Sequence, residues 1–112
     1  IAADIEASIA ILAPWARYES PNIRRFAVES TRPVGVWAKQ IVELKKDPAL
    51  ALPLLETVKD DSSAYVQDSV ANWLNDAGKS NPDWVRRLGA EWSKGTSSRT
   101  ARIVQRAMRN LR

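Results

Sequence analysis

Tyr65-Val66-Gln67-Asp68-Ser69-Val70-Ala71-Asn72-Trp73-Leu74-Asn75-Asp76 is the stretch that decides how this chain folds. Val66, Val70, Ala71 and Leu74 recur at helical spacing while the polar residues fall on the other side, so the stretch reads as one amphipathic helix. The same pattern stands upstream as Ile23, Ala27, Val28 and Thr31, and downstream as Ile103, Ala107, Met108 and Leu111, at offsets of 43 and 37 residues.

Helices are predicted over Ala3–Leu12, Asn22–Ser30, Val36–Lys46, Ala49–Lys59, Ala64–Ala77, Asp83–Ser93 and Arg99–Leu111. Their breaks fall at Pro14, Pro21, Pro33, Pro48, Pro82 and Gly95-Thr96-Ser97-Ser98, and Asp47 and Asn81 precede prolines as helix caps. No stretch alternates as a strand would. A two-helix unit recurring every 40 or so residues is the signature of HEAT repeats, which stack because one hairpin cannot bury its apolar stripe alone. The predicted fold class is therefore all-α, an α-solenoid of HEAT-like helical repeats.

At 112 residues and 45% hydrophobic content, the chain suits a single domain over residues 1–112. It begins without Met in what reads as mid-helix, which predicts that it belongs to a longer protein truncated in its first repeat. Cysteine and histidine are both absent, so thiol nucleophiles, disulfides, imidazole bases and the usual zinc sites are excluded. No metal and no cofactor is expected, and catalysis would run on carboxylates, hydroxyls, lysines or backbone dipoles. No apolar run reaches the roughly 20 residues of a membrane span, and no signal peptide stands at the start. The chain reads as soluble and cytoplasmic.

The net charge of +4 is concentrated at one end. From Lys94 onward come six basic residues and no acid, whereas the first 93 residues carry 11 basic and 13 acidic side chains. At about 100° per residue, with Ile23, Val66 and Ile103 set to zero, Arg25 projects at about 200°, Glu29 and Asn72 at about 240° and Asp76 at about 280°. Arg102, Arg106 and Arg109 fall between about 240° and about 300° on the same scale. Polar groups of three successive repeats thus share one direction, which predicts a groove with carboxylates at its centre and arginines at its end.

A basic stripe opposite an apolar one is commonly just the solvated side of a helix. Here every cation of the stripe is Arg, which forks onto phosphate oxygens, and no acid is interleaved along that helix. Phosphate binding by Arg99, Arg102, Arg106 and Arg109 is the better reading. Glu29, four residues after Arg25, could form no more than an exposed helix-surface pair, and Asp76 could be a surface acid near a helix end where the dipole disfavours it. Trp73, Trp84 and Trp92 read as packing residues. Trp37 follows a Pro-Val-Gly bend, where it could either pack or lie half exposed at the groove. Lys39 and Lys79 are the nominal candidates for a Schiff-base lyase, in contexts that do not suggest an activated amine.

Ile23-Arg24-Arg25 with Ala27, Glu29, Thr31-Arg32-Pro33 and Trp37, followed by Tyr65-Val66, Ser69-Val70-Ala71-Asn72 and Leu74-Asn75-Asp76, resembles the DNA alkylation repair family. These are the HEAT-like-repeat alkylpurine DNA glycosylases of the AlkC and AlkD kind, and the spacing of Glu29, Trp37 and Asp76 is nearest the AlkC-like branch. The resemblance runs from about Pro21 to Leu111. It departs from the family's pattern at Val28 and Ser30, where small residues are common, and at Trp73, where a histidine or other polar residue is expected.

The resemblance implies removal of cationic alkylated bases, of the N3- and N7-alkylpurine type, by a bacterial nucleoid-associated enzyme that needs no cofactor. Its partner would be duplex DNA carrying alkylated bases, engaged along the concave face by a monomer, with no membrane involved. Glu29 and Asp76 would be the catalytic carboxylates and Trp37 the wall against the deoxyribose, with Arg25, Arg32 and Asn72 as groove contacts to DNA. A further acidic residue that the family draws from an earlier helix has no counterpart here and would lie upstream of Ile1. The rival expectation is a non-catalytic HEAT-like scaffold using the same basic surface for DNA or an acidic protein partner.

Overall fold

The computed structural model describes residues 5–32 and 46–111, with side chains from Ile9 onward. The predicted helix Val36–Lys46 falls almost wholly outside the described residues, and Trp37 and Lys39 lie outside them. The described elements are helical, without strands: α1 (Ile5–Leu12), a 3₁₀ turn (Ala13–Arg17), α2 (Pro21–Glu29), a 3₁₀ turn (Pro48–Ala51), α3 (Leu52–Val58), α4 (Ala64–Gly78), α5 (Pro82–Trp92) and α6 (Ser98–Ala107). Among them no helix is long and apolar enough to cross a membrane.

Proline sets most of the starts. Pro14, Pro21, Pro48, Pro53 and Pro82 each sit in a first turn, where the missing N–H leaves no bond unmade. Asp47 and Asn81 stand at the cap positions before Pro48 and Pro82. α6 starts differently: the Ser97 hydroxyl accepts the Thr100 N–H at 3.2 Å, and the Thr100 hydroxyl donates to the Lys59 carbonyl at 2.7 Å, fastening the α6 start to the end of α3.

Two boundaries differ from expectation by more than a residue or two. The predicted helix Ala49–Lys59 divides into a 3₁₀ turn and α3, because Pro53 would clash with the carbonyl four residues back in a continuous helix. α6 ends at Ala107 rather than Leu111. The Ala107 carbonyl accepts from Asn75 Nδ2 at 3.2 Å, and the Leu111 N–H turns to Met108 instead, at 2.9 Å.

α2, α4 and α6 lie side by side as one layer, and α1, α3 and α5 form the other. The chain measures 37 × 32 × 18 Å, and the short axis fits two helix layers of about 10 Å each. The core lies between them: Ala27 and Val28 from α2, Leu54, Leu55 and Val58 from α3, Val66, Val70, Ala71, Trp73 and Leu74 from α4, and Ile103 and Ala107 from α6. These include most of the aligned positions of the three repeats, so the repeat pattern in the sequence is the packing pattern of one layer.

Trp73 is fully buried, tilted against Trp84 at a centroid distance of 6.4 Å. Its indole N–H donates to the Thr31 carbonyl at 2.9 Å and lies 3.0 Å from the Thr31 hydroxyl. That polar tip explains how an indole occupies a position where a polar residue was expected. The Arg24 guanidinium grips Asp61 through Nε at 2.8 Å and Nη2 at 3.0 Å, tying α2 to the loop before α4. Ile23 is only half-buried, unlike its equivalents Val66 and Ile103, and beside it Trp15, Tyr18 and Phe26 remain exposed.

Candidate functional site

Glu29 is the last residue of α2 and Asp76 lies in the last turn of α4, so both acids sit at helix ends that carry partial negative charge. An acid in that place needs a cation. Arg32, just beyond α2, supplies it to both: Nε donates to Asp76 Oδ2 at 2.7 Å and Nη1 to Glu29 Oε1 at 3.1 Å. The two carboxylates of neighbouring repeats therefore converge on a single guanidinium. The Asp76 hydrogen bond, opposed by burial and assisted by Glu29, raises the Arg32 pKa above its ordinary value.

The rest of the shell fixes each oxygen. Ser69 Oγ donates to Glu29 Oε2 at 2.8 Å, and Arg25 Nη2 stands 3.6 Å from the same oxygen. Arg25 lies over the Tyr65 ring at 4.2 Å and donates to the Tyr65 carbonyl at 3.0 Å. The Asp76 side chain is only 6% exposed, and its Oδ1 has Lys79 Nζ 3.8 Å away, within ion-pair reach but beyond a hydrogen bond. Asp76 Oδ1 is thus the carboxylate oxygen of this cluster least committed to a partner among those described.

One helix further along, Arg102, Gln105, Arg106 and Arg109 line a concavity of about 540 Å³. α6 itself carries no acid, but α4 supplies one from the neighbouring repeat. Asp68 Oδ1 lies 2.9 Å from Arg102 Nη2 and 3.3 Å from Arg106 Nε, held by charge without an aligned hydrogen bond. Arg102 Nη1 also donates to Gln67 Oε1 at 2.9 Å. Pairing rules within one helix cannot see a carboxylate that arrives from the neighbouring repeat.

The structure thus brings Glu29, Asp76, Arg25 and Arg32 into one cluster and Arg102, Arg106 and Arg109 into a second. Arg99 is exposed near the α6 start, outside the concavity lining, and Asn72 is half-buried on α4 between the clusters. Arg32, expected as a groove contact to DNA, links the two carboxylates, because its place just past α2 aims it across the repeat junction. Ser69 and Asp68 were not singled out by the sequence pattern. Asp68 projects at about 200°, on the side of α4 that meets α6, but the angle alone does not mark that side as the one facing a neighbour. Among the described residues no group of His, Cys, Asp or Glu could hold a metal ion.

Fold and site together define a HEAT-like helical-repeat protein that presents paired carboxylates and arginines on one layer. A family model described as DNA alkylation repair enzyme matches residues 1–107. The chain belongs to the DNA alkylation repair family. It is 42% identical over 108 residues to the uncharacterized protein YhaZ of Bacillus subtilis (strain 168), covering 96% of this chain and 30% of that protein. It also matches the solved structure of the Pseudomonas fluorescens alkylpurine DNA glycosylase AlkC bound to DNA containing an abasic site analog. That match has a TM-score of 0.85 and 36% identity, over 97% of this chain and 30% of the other. The chain spans somewhat under a third of the length of either.

Proposed function

We propose that this chain acts in the repair of alkylated duplex DNA, hydrolysing the N-glycosidic bond of cationic N3- or N7-alkylpurines. The observation that carries the reading is the convergence of Glu29 and Asp76, from successive repeats, on Arg32. Family membership and the likeness to AlkC support it.

A ring-alkylated purine is already positively charged, so the C1′–N bond breaks with its electron pair leaving on a neutral base. No general acid is needed, which suits a chain without histidine. The sugar develops oxocarbenium character, and two fixed carboxylates stabilise that charge without reorganising during the reaction. Water adds to C1′, and Asp76 Oδ1, the least committed oxygen, is the acceptor for its proton. Trp37 would add an aromatic face beside the sugar. Arg109 and the Asp68-held pair Arg102 and Arg106 would take backbone phosphates.

Asp76→Asn is expected to lose most base release from methylated duplex at enzyme excess while keeping DNA affinity. A near-normal release rate removes Asp76 from the mechanism. The internal pairing of the two clusters also suits a non-catalytic DNA-binding scaffold. That alternative predicts a binding defect from Arg106→Glu, silence from Glu29→Gln and no base release from the unaltered chain.

A further inference from the structure

A hydroxyl on a helix or at its C-cap can donate back to the carbonyl four residues earlier, and three of the described ones do so: Ser30 to Phe26 at 2.7 Å, Thr57 to Pro53 at 2.9 Å and Ser93 to Gly89 at 2.7 Å. Ser69 does not. Its equivalent acceptor, the Tyr65 carbonyl, carries the Arg25 guanidinium at 3.0 Å, and the Ser69 hydroxyl crosses the repeat junction to Glu29 Oε2 at 2.8 Å. Ser69 is fully buried, and a polar group so placed needs a partner; here the partner is a carboxylate on another repeat.

We infer that Ser69 is the positioning residue for Glu29, an inference that rests on the glycosylase reading above. Glu29 ends a helix on a side chain with three rotatable bonds, so one anchored oxygen would leave its carboxylate plane free to turn. Arg32 at Oε1 and Ser69 at Oε2 fix both ends of that plane. The two anchors differ in one respect that matters for a cationic substrate. Arg32 orients the carboxylate at the cost of opposing its charge, whereas a neutral hydroxyl orients it and leaves the negative charge in place for the sugar cation. Arg25 contributes to the arrangement by occupying the carbonyl that would otherwise compete for the hydroxyl.

Ser69→Ala removes the donor, leaves no orphaned donor of its own and substitutes a better helix former, so the fold is expected to persist. In the full chain at enzyme excess, base release from methylated duplex falls roughly tenfold, the usual scale for losing a hydrogen bond to a charged group. The Kd for the same duplex with an abasic analogue stays within twofold. In a Glu29→Gln background, Ser69→Ala has no further effect on the rate. A release rate within twofold of the parent, or rate and affinity falling together, overturns the inference. Glu29→Gln measured alone separates the failures: normal release there removes the Glu29 mechanism itself, whereas lost release there with normal release from Ser69→Ala removes only the role of Ser69.

Discussion

Replacing Arg32 by Met keeps the aliphatic stem of the side chain and removes the one group that both carboxylates share. The Nε–H and Nη1–H bonds of a guanidinium diverge to opposite edges of its plane, so the two oxygens bound to Arg32 at 2.7 and 3.1 Å lie roughly 6–7 Å apart. Two unit charges at that separation repel by about 0.6 kcal/mol in bulk water and about 2.5 kcal/mol at the effective dielectric of a protein surface. Side-chain exposures of 33% for Arg32, 29% for Glu29 and 6% for Asp76 place the cluster between those limits, with solvent screening reducing the upper one. The expected loss is about 1–2 kcal/mol, or roughly 5–10 °C in melting temperature for a domain of this size. The Arg32 pKa is raised, so its contribution is fully present below the ordinary guanidinium value and lost only above the raised one; the effect holds across the neutral range. Thermal unfolding followed by circular dichroism measures it. With Glu29→Gln and Asp76→Asn already in place, Arg32→Met should cost little, because no charges remain to repel. An equal loss in both backgrounds, or none in the parent, refutes the electrostatic account of the cluster.

Arg109 lines the α6 concavity, and its described hydrogen bond runs to the Arg106 carbonyl at 3.2 Å. Arg109→Ala should therefore lower the slope of log affinity against log salt for duplex DNA by about 0.9, and an unchanged slope removes Arg109 from the phosphate contacts. Burial raises the pKa of Glu56, but the hydrogen bonds from Lys59 and Trp92 and the Lys59 charge outweigh it and hold the carboxyl below its ordinary 4.5. A depressed carboxylate contributes stability above its unfolded pKa and loses it as pH falls through the folded one. The melting temperature of the parent should exceed that of Glu56→Gln at neutral pH and the gap should close in acid, whereas a gap that persists or widens in acid contradicts the assignment.

Much of the layer that carries the site was readable, because one helical step governs both core and groove. α4 was expected over Ala64–Ala77 and spans Ala64–Gly78, and placing Glu29 and Asp76 on one face needed only the angular step and the offset of 43 residues. Arg32 escaped that arithmetic by lying beyond the end of α2, where no helical angle applies. The early end of α6 depends on Asn75 from the preceding repeat, and the division at Pro53 on a clash within a segment whose composition is otherwise helical. Asp68 and Ser69 lie inside α4 and have well-defined angles, yet a single-helix projection does not say which side meets a neighbour.

The two junctions of the α2–α4–α6 layer supply that missing rule. At the first, Arg25 at about 200° and Glu29 at about 240° meet Tyr65 at about 260° and Ser69 at about 300° on the next helix. At the second, Asp68 at about 200° meets Arg102 at about 260° and Arg106 at about 300°. The pairs are repeat-equivalent: Arg25 with Asp68, Tyr65 with Arg102, Ser69 with Arg106. One backbone geometry is thus used twice with different side chains, once to hold a carboxylate by a neutral donor and once to hold two arginines by a carboxylate. Neighbouring helices lie about 8–10 Å apart. On the glycosylase reading, phosphates gripped at α6 would therefore stand about three base steps of about 3.4 Å from a sugar set against Glu29 and Asp76. That division of labour needs both junctions, since the arginine side alone would bind DNA and the carboxylate side alone would have nothing to hold a backbone in register.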